Sequence, residues 1–368
     1  MKILMVNSSR IWGGAEQLLL SFSLELRERG HRLGFYLCEG SVTVPRFREA
    51  GFPVWCAGRK GMGLASSVLK LASILRNERF DVIHLHRSHD IIFTSLANLA
   101  GGLIPMVLTQ HAWGFSKSCL QFLVIGRLKR IVAVSDAVAT QLRKAYPFAA
   151  DKIVVILNGV PIQSDLEPDL EYWKKRPELA DREPLLGVVG LYHKNQQELI
   201  GMLPRIRESF PNVMLIIIGQ TDERMHMFEN LAARLGVLDA LFFAGFINHD
   251  EMHNALGSLD LNISMNRHEP FGLHVVEGMA AGTPLVAYRA GGFPEIVEHD
   301  RDGYLAESQE DLLQAILALL GNRGRREKMA QSGRERVLKL FTLNRMTSDY
   351  EELYRSLKTK QPALAYLK

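Results

Sequence analysis

Asn262-Ile-Ser-Met-Asn-Arg-His-Glu-Pro-Phe-Gly-Leu-His-Val-Val-Glu-Gly-Met-Ala-Ala-Gly-Thr-Pro-Leu-Val-Ala287, followed by Gly291-Gly-Phe-Pro-Glu-Ile-Val297, is the stretch whose reading decides the fold. The apolar residues Leu259 to Ile263 read as a strand that breaks into a polar turn with Glu269 at its tip. Pro270 suits the first turn of a helix, where no N–H is needed. A helix is expected from about Phe271 to Ala281, stopped by Gly282 with Pro284 just beyond. The free N–H groups and dipole at its start favour an anion. Glu277 follows Glu269 by eight residues, which puts it about two turns inside that helix. One carboxylate at a loop tip can hold a sugar, and one inside the helix can accept hydrogen bonds from ribose hydroxyls, as in dinucleotide sites. The layout suits a sugar nucleotide.

Glu269-Pro-Phe-Gly with Glu277, the small-residue helix Gly278-Met-Ala-Ala-Gly-Thr-Pro and the turn Gly291-Gly-Phe-Pro-Glu295 together resemble the glutamate-x7-glutamate signature of retaining nucleotide-sugar glycosyltransferases. The pattern is similar to glycosyltransferase family 4, which has the GT-B fold. The resemblance implies two Rossmann-like doubly wound α/β domains facing a cleft. It covers nearly the whole chain, most densely from 259 to 305.

Length and composition agree with two soluble domains. The 368 residues exceed one usual core, and 47% hydrophobic with 23% charged residues is an ordinary globular balance. Cys38, Cys56 and Cys119 are odd in number and lack CxxC spacing, so reduced thiols in a cytoplasmic setting are expected. The chain opens on the strand-like Lys2-Ile-Leu-Met-Val without a signal-peptide layout, and no apolar run approaches a membrane span of about 20 residues. Charge is uneven. Residues 1–160 carry 20 Lys and Arg against 10 Asp and Glu, and the remainder carries 24 against 30. A basic half beside an acidic one suggests that the first domain meets something anionic, where the plainer account is charge for solubility.

The first half alternates apolar runs with helical stretches, which predicts a parallel sheet covered on both faces. Strands are expected at Ile3–Val6, Leu33–Leu37, Val54–Trp55, Val82–His84, Met106–Thr109, Ile131–Val134 and Ile153–Leu157. Helices are expected from the first glycines to Arg29, over Ala65–Asn77 and over Asp90–Ala100. Gly13-Gly14 after the first strand lets backbone approach a ligand closely. In the family such a turn faces the interdomain cleft. The second domain opens with Leu185–Val189, and strands follow at Val213–Gly219, Leu241–Gly245 and Leu259–Ile263. The domain bounds read as 1–165 and 180–341, with a polar linker over 162–183. A last helix over about 342–360 crosses back onto the first domain, as GT-B proteins imply.

Several residues need both a structural and a functional account. His84, His86 and His89 lie at a strand end, but their spacing fits no zinc pattern and no cysteine joins them, so no metal is expected. His111, in Thr109-Gln-His-Ala-Trp-Gly114, by itself reads as a packed or solvent-facing histidine. The family's Thr-x-His at that place implies contact with the donor sugar. Lys194-Asn195-Gln196 fits the family's phosphate-binding turn, whereas Leu191 stands where its arginine would be; Arg267 is a candidate replacement. Ser116–Arg130 has an apolar centre flanked by Lys117, Arg127, Lys129 and Arg130. It reads either as a membrane-surface segment or as a core helix with a solvated end.

The resemblance implies transfer of a sugar with retention. Lys194, with the helix start at Phe271, Gly272 and Leu273, would hold the diphosphate. Glu269 would fix the sugar, Glu277 the ribose, His111 the sugar from the other domain, and Gly13 and Gly14 would face the donor. His111, Lys194 and Glu269 are thus the candidate catalytic residues. Partners are the nucleotide-sugar donor and a glycan or lipid-linked acceptor, with an anionic membrane surface at the inner face as a further candidate. No nucleic acid, cofactor or metal is expected. The alternatives are a GT-B nucleotide-sugar epimerase or phosphorylase, or a non-catalytic GT-B partner of another transferase.

Overall fold

The computed structural model describes the chain except residues 58–63, 115–118, 163–166, 191–193, 220–223 and 358–368. Two compact units emerge, one of Met1–Pro161 with the chain from Leu343 onward, the other of Ile162–Thr342.

In the first unit strands and helices alternate. They are β1 (Lys2–Asn7), α1 (Gly14–Glu28), β2 (Arg32–Cys38), α2 (Thr43–Glu49), β3 (Val54–Ala57), α3 (Leu64–Glu78) and β4 (Val82–Leu85). Then come α4 (Ile91–Gly101), β5 (Met106–Gln110), α5 (Cys119–Ile125), β6 (Arg130–Ala133), α6 (Asp136–Ala145) and β7 (Ile153–Val155). All seven strands are parallel, in the order β3-β2-β1-β4-β5-β6-β7. The central strands are buried on both faces, and Ile3, Leu4, Met5 and Val6 are wholly inaccessible. That explains why they read as continuous apolar runs and not as alternating ones.

The second unit runs β8 (Leu185–Val189), α7 (Gln196–Ser209), β9 (Met214–Ile218), α8 (Arg224–Arg234), β10 (Leu241–Gly245), α9 (His249–Gly257) and β11 (Leu261–Ser264). It continues with α10 (Leu273–Ala280), β12 (Leu285–Tyr288), α11 (Phe293–Ile296), β13 (Tyr304–Ala306), α12 (Gln309–Leu320) and α13 (Arg323–Leu340). Its sheet is again parallel, ordered β10-β9-β8-β11-β12-β13. On one face Leu186, Ile217, Ile263 and Val286 meet Leu199, Leu203 and Ile316 in a buried cluster. The last helix, α14 (Leu343–Ser356), packs in the first unit. There Tyr350 and Tyr354 hydrogen-bond the buried Thr109 and His84 at 2.8 and 2.7 Å.

Two expectations need correction. The segment 162–183 is not simply a polar linker. Trp173 is wholly buried beside Leu179, and its indole N–H donates to the carbonyl of Ala255 at 2.7 Å. Its apolar residues are spaced among so many charges that no periodicity marks them. The helix expected from Phe271 begins at Leu273. Gly272 precedes it at φ +101°, a left-handed conformation that glycine tolerates, and this turn separates Pro270 and Phe271 from the helix. Glu277 is therefore the fifth residue of α10, about one turn in, not two.

Candidate functional site

Both sheets have a topological switch point, where successive strands are added on opposite sides and the loops at the carboxyl ends diverge into a crevice. In the second unit it lies between β8 and β11. The two loops over it are the ones carrying Lys194 and Glu269, and these side chains meet: Lys194 Nζ donates to Glu269 Oε2 at 2.9 Å. The Lys-Asn-Gln run explains how Lys194 is presented. Asn195 turns the chain at φ 63°, a conformation that asparagine tolerates better than most residues. Buried Gln196 accepts from the Lys194 backbone N–H at 2.9 Å. Leu191 falls outside the described residues.

Glu269 is no solvated loop tip. It also accepts from Asn266 Nδ2 at 2.9 Å, and only 12% of its side chain is exposed. Burial would raise its pKa, but Lys194 and His274 with the two hydrogen bonds outweigh this and hold it below the usual carboxylate range. The Gly-Gly-Phe-Pro-Glu turn backs this loop. Gly292 N–H donates to the Glu269 carbonyl at 2.9 Å. A Cβ at Gly291, at φ +57°, would lie 2.2 Å from that carbonyl oxygen, so only glycine fits there. Phe271 is turned inward against Phe341, ring centroids 6.0 Å apart, so any part it takes at the surface is through its backbone. With Gly272 and Leu273 it lies at the start of α10, whose first N–H groups have no partner within the helix.

Glu277 is half-buried and makes no hydrogen bond or ion pair to Lys194 or Glu269. Burial lifts its pKa to about 7. His274, which the sequence left without a role, lies between the two glutamates in the chain and faces the same charges. Burial, with Lys194 nearby, lowers its pKa to about 4 against the pull of Glu269. Its only cue was its place in the motif. Arg267 is engaged within the unit, with its guanidinium 3.5 Å from the centroid of the Tyr288 ring and 3.3 Å from Glu198. Tyr288 donates to the same carboxylate at 2.7 Å. The charge of Arg267 is thus met by Glu198. Among the described residues no group has the makings of a metal site. The Asp-x-Asp of Asp300-Arg301-Asp302 has structural partners: Asp300 pairs with Arg325, and Asp302 accepts from Glu298 N–H at 2.7 Å.

In the first unit the switch point lies between β1 and β4. Gly13 and Gly14 open α1 after β1, with Glu16 Oε2 accepting from the Gly13 N–H at 3.2 Å. Buried Asp90 ties the loop after β4 to the loop after β1 by accepting from Ser8 N–H at 3.0 Å. Burial raises its pKa although Ser8 hydrogen bonds oppose it. His84 and His86 are two residues apart and both point inward, whereas His89 is exposed. His111 follows the adjacent β5, and its Nε2 lies 3.2 Å from His86 Nδ1. Burial, with Arg87 nearby, brings the His111 pKa down to about 4. The structure thus groups Lys194 with Glu269 in one unit and His111 with His86 in the other.

Comparison with known proteins bears on both units. The family model for glycosyltransferase family 4 matches residues 12–164, and that for glycosyl transferases group 1 matches residues 171–336. The chain is 26% identical to an uncharacterised glycosyltransferase of Methanocaldococcus jannaschii, over 96% of this chain and 98% of that protein. It is 24% identical to N-acetyl-alpha-D-glucosaminyl L-malate synthase of Bacillus anthracis, over 93% of each. Its fold is similar to that of Anabaena HepE, solved with UDP and glucose, with a TM-score of 0.83 at 22% identity over 97% of this chain and 100% of that one.

Proposed function

Because the chain belongs to the family 4 glycosyltransferases of GT-B fold, we propose that it moves a sugar, with retention, from a nucleotide-diphosphate donor held in its second unit to an acceptor bound by its first. The observation that carries the donor assignment is the Lys194–Glu269 pair, assembled from the two loops that diverge at the β8/β11 switch point. The C1–O bond to the diphosphate breaks, an acceptor oxygen bonds C1, and the acceptor's proton leaves with the diphosphate. The charge that grows on the leaving group is what the protein must stabilise. Lys194 and the start of α10 take that task. Glu269 holds Lys194 and the sugar hydroxyls, Glu277 takes the ribose, His111 is assigned to the transferred sugar, and Gly13 and Gly14 to the donor.

A thermal-shift screen of nucleoside diphosphates tests the donor assignment. A ligand at about 100 times its Kd stabilises the native state by about 2.7 kcal/mol. That corresponds to a rise in Tm of roughly 5–10 °C for a unit of this size. If no nucleoside diphosphate raises Tm, the donor assignment falls.

For the acceptor we propose an anionic, lipid-linked or lipopolysaccharide-type glycan reached at a membrane surface. No helix among the described residues is long and apolar enough to cross a membrane. Helix α5 shows two faces, however. Val124 and Ile125 are buried, while Leu123 is 74% exposed and the Phe122 ring lies tilted against the exposed Phe148, centroids 5.6 Å apart. Lys152 donates to the carbonyl of Gly126 at the end of that helix, and Arg127 and Lys129 follow. Lys117 and the side chain of Leu120 lie outside the described residues. Exposed apolar side chains followed by basic residues suit an anionic interface, each nearby basic residue contributing about 1 kcal/mol. Co-sedimentation with vesicles containing anionic lipid is expected at low salt and is lost at high salt, through screening, or on Leu123→Asp. Equal recovery with neutral vesicles, or none with anionic ones, would point to a soluble acceptor.

A further inference from the structure

We infer that His86 sets the tautomer of His111, so that His111 carries its proton on Nδ1 and presents an N–H rather than a lone pair away from His86. The two imidazole planes lie within 17° of each other, ring centroids 5.6 Å apart, with His86 Nδ1 3.2 Å from His111 Nε2. Burial lowers both pKa values, so both rings are neutral at pH 7 and one must donate to the other. Two arrangements satisfy that bond. If His111 donates from Nε2, His86 accepts at Nδ1 and must carry its own proton on Nε2. That atom is buried and has no hydrogen-bond partner among the described residues, so an N–H would be stranded there. If His86 donates from Nδ1, the stranded atom is only an acceptor. Buried orphan N–H donors are the rarer case, so the second arrangement holds.

The neighbouring histidine shows the contrast. His84 has both nitrogens engaged, Nδ1 with the Tyr354 hydroxyl and Nε2 with Thr109 Oγ1, each at 2.7 Å. It is locked in the core between β4 and α14, and its ring packs 4.2 Å from that of His86. That packing holds the His86 ring in the plane from which Nδ1 reaches His111. His86 is thus a positioning residue that acts through His111. A donor N–H at His111 selects an oxygen lone pair on its ligand and cannot act as a base. The kinetic consequence rests on the assignment of His111 to the transferred sugar; the tautomer itself does not.

Long-range 1H–15N correlation spectra of the full chain near pH 7 read imidazole tautomers directly, with His111 identified by the signals lost in His111→Ala. The expected pattern is Nδ1–H for His111. In His86→Asn the amide N–H replaces the Nδ1 donor and the pattern persists. In His86→Phe the donor is gone and His111 reverts to Nε2–H. An Nε2–H signature in the unsubstituted protein overturns the inference, as does an unchanged Nδ1–H in folded His86→Phe. If His86→Phe does not fold, the unsubstituted protein and His86→Asn decide. Turnover separates the two premises. A 10- to 100-fold lower kcat in His86→Phe, with KM nearly unchanged and activity restored in His86→Asn, supports both. A switched tautomer with unchanged kcat keeps the role of His86 and removes His111 from the sugar.

Discussion

Replacing Lys194 by alanine lowers kcat by about 10²–10³-fold, the usual cost of removing one preorganised donor from developing negative charge. Donor affinity falls by less, because only part of the leaving-group charge exists in the ground state. Lys194 Nζ is held 2.9 Å from Glu269, and the lysine side chain is 23% exposed, so its charge is only partly screened by solvent. Its loss also reaches Glu269, whose pKa is held down by Lys194 and rises when that partner goes. Glu269→Gln, which keeps the shape but not the charge, releases Lys194 from its fixed position and lowers kcat in turn. Because the two side chains act as one unit, the double variant loses much less than the product of the single losses. Pre-steady-state turnover and calorimetric donor binding on the three variants check this. A kcat within threefold of wild type in folded Lys194→Ala would take the lysine out of the reaction.

Some of this was legible in the sequence and some was hidden for physical reasons. Strands buried on both faces announce themselves as apolar runs, and so β1 and β8 lie within a residue of where they were read. The strands β12 and β13 are four and three residues long, too short to carry a period that would mark them in the sequence. The start of α10 was misplaced because Pro270 is an accepted first-turn residue, while the left-handed turn at Gly272 is imposed by packing of the Gly291-Gly292 turn and Phe293. Lys194 and Glu269 were each legible by motif, but not the ion pair between them, since 75 residues and a change of sheet direction separate them. The His86–His111 pair was hidden in the same way. His84 and His86 share a face through the two-residue period of a strand, yet only the parallel pairing of β4 with β5 brings His111 alongside. What the sequence carries well is local; contacts made by sheet order require the fold.

Glu277→Gln weakens nucleoside-diphosphate binding by about 10- to 100-fold at pH 8, the range expected for hydrogen bonds to a charged acceptor. Its signature is in the pH dependence. In the free protein burial lifts the Glu277 pKa to about 7. Ribose hydroxyls that donate to the carboxylate favour its charged form, so its pKa drops on binding. The complex then holds fewer protons than the free protein, and binding releases one. Affinity must therefore be flat above pH 7 and fall as pH drops below it, by up to about tenfold per unit, until the pKa of the complex is reached. Folding has the opposite sign. A carboxyl whose pKa is raised in the folded state destabilises that state as pH climbs from its unfolded value through 7. Glu277→Gln, which carries no charge, thus gains Tm relative to the parent between pH 5 and pH 8 while it loses affinity. Few surface substitutions share that pairing of more stability with less binding, because it requires a partly desolvated charge kept for a ligand. Calorimetry from pH 5.5 to 8.5 on both proteins, in buffers of differing ionisation enthalpy, counts the released proton. A pH-independent Kd in the parent protein would move Glu277 away from the ribose, whatever its effect on folding.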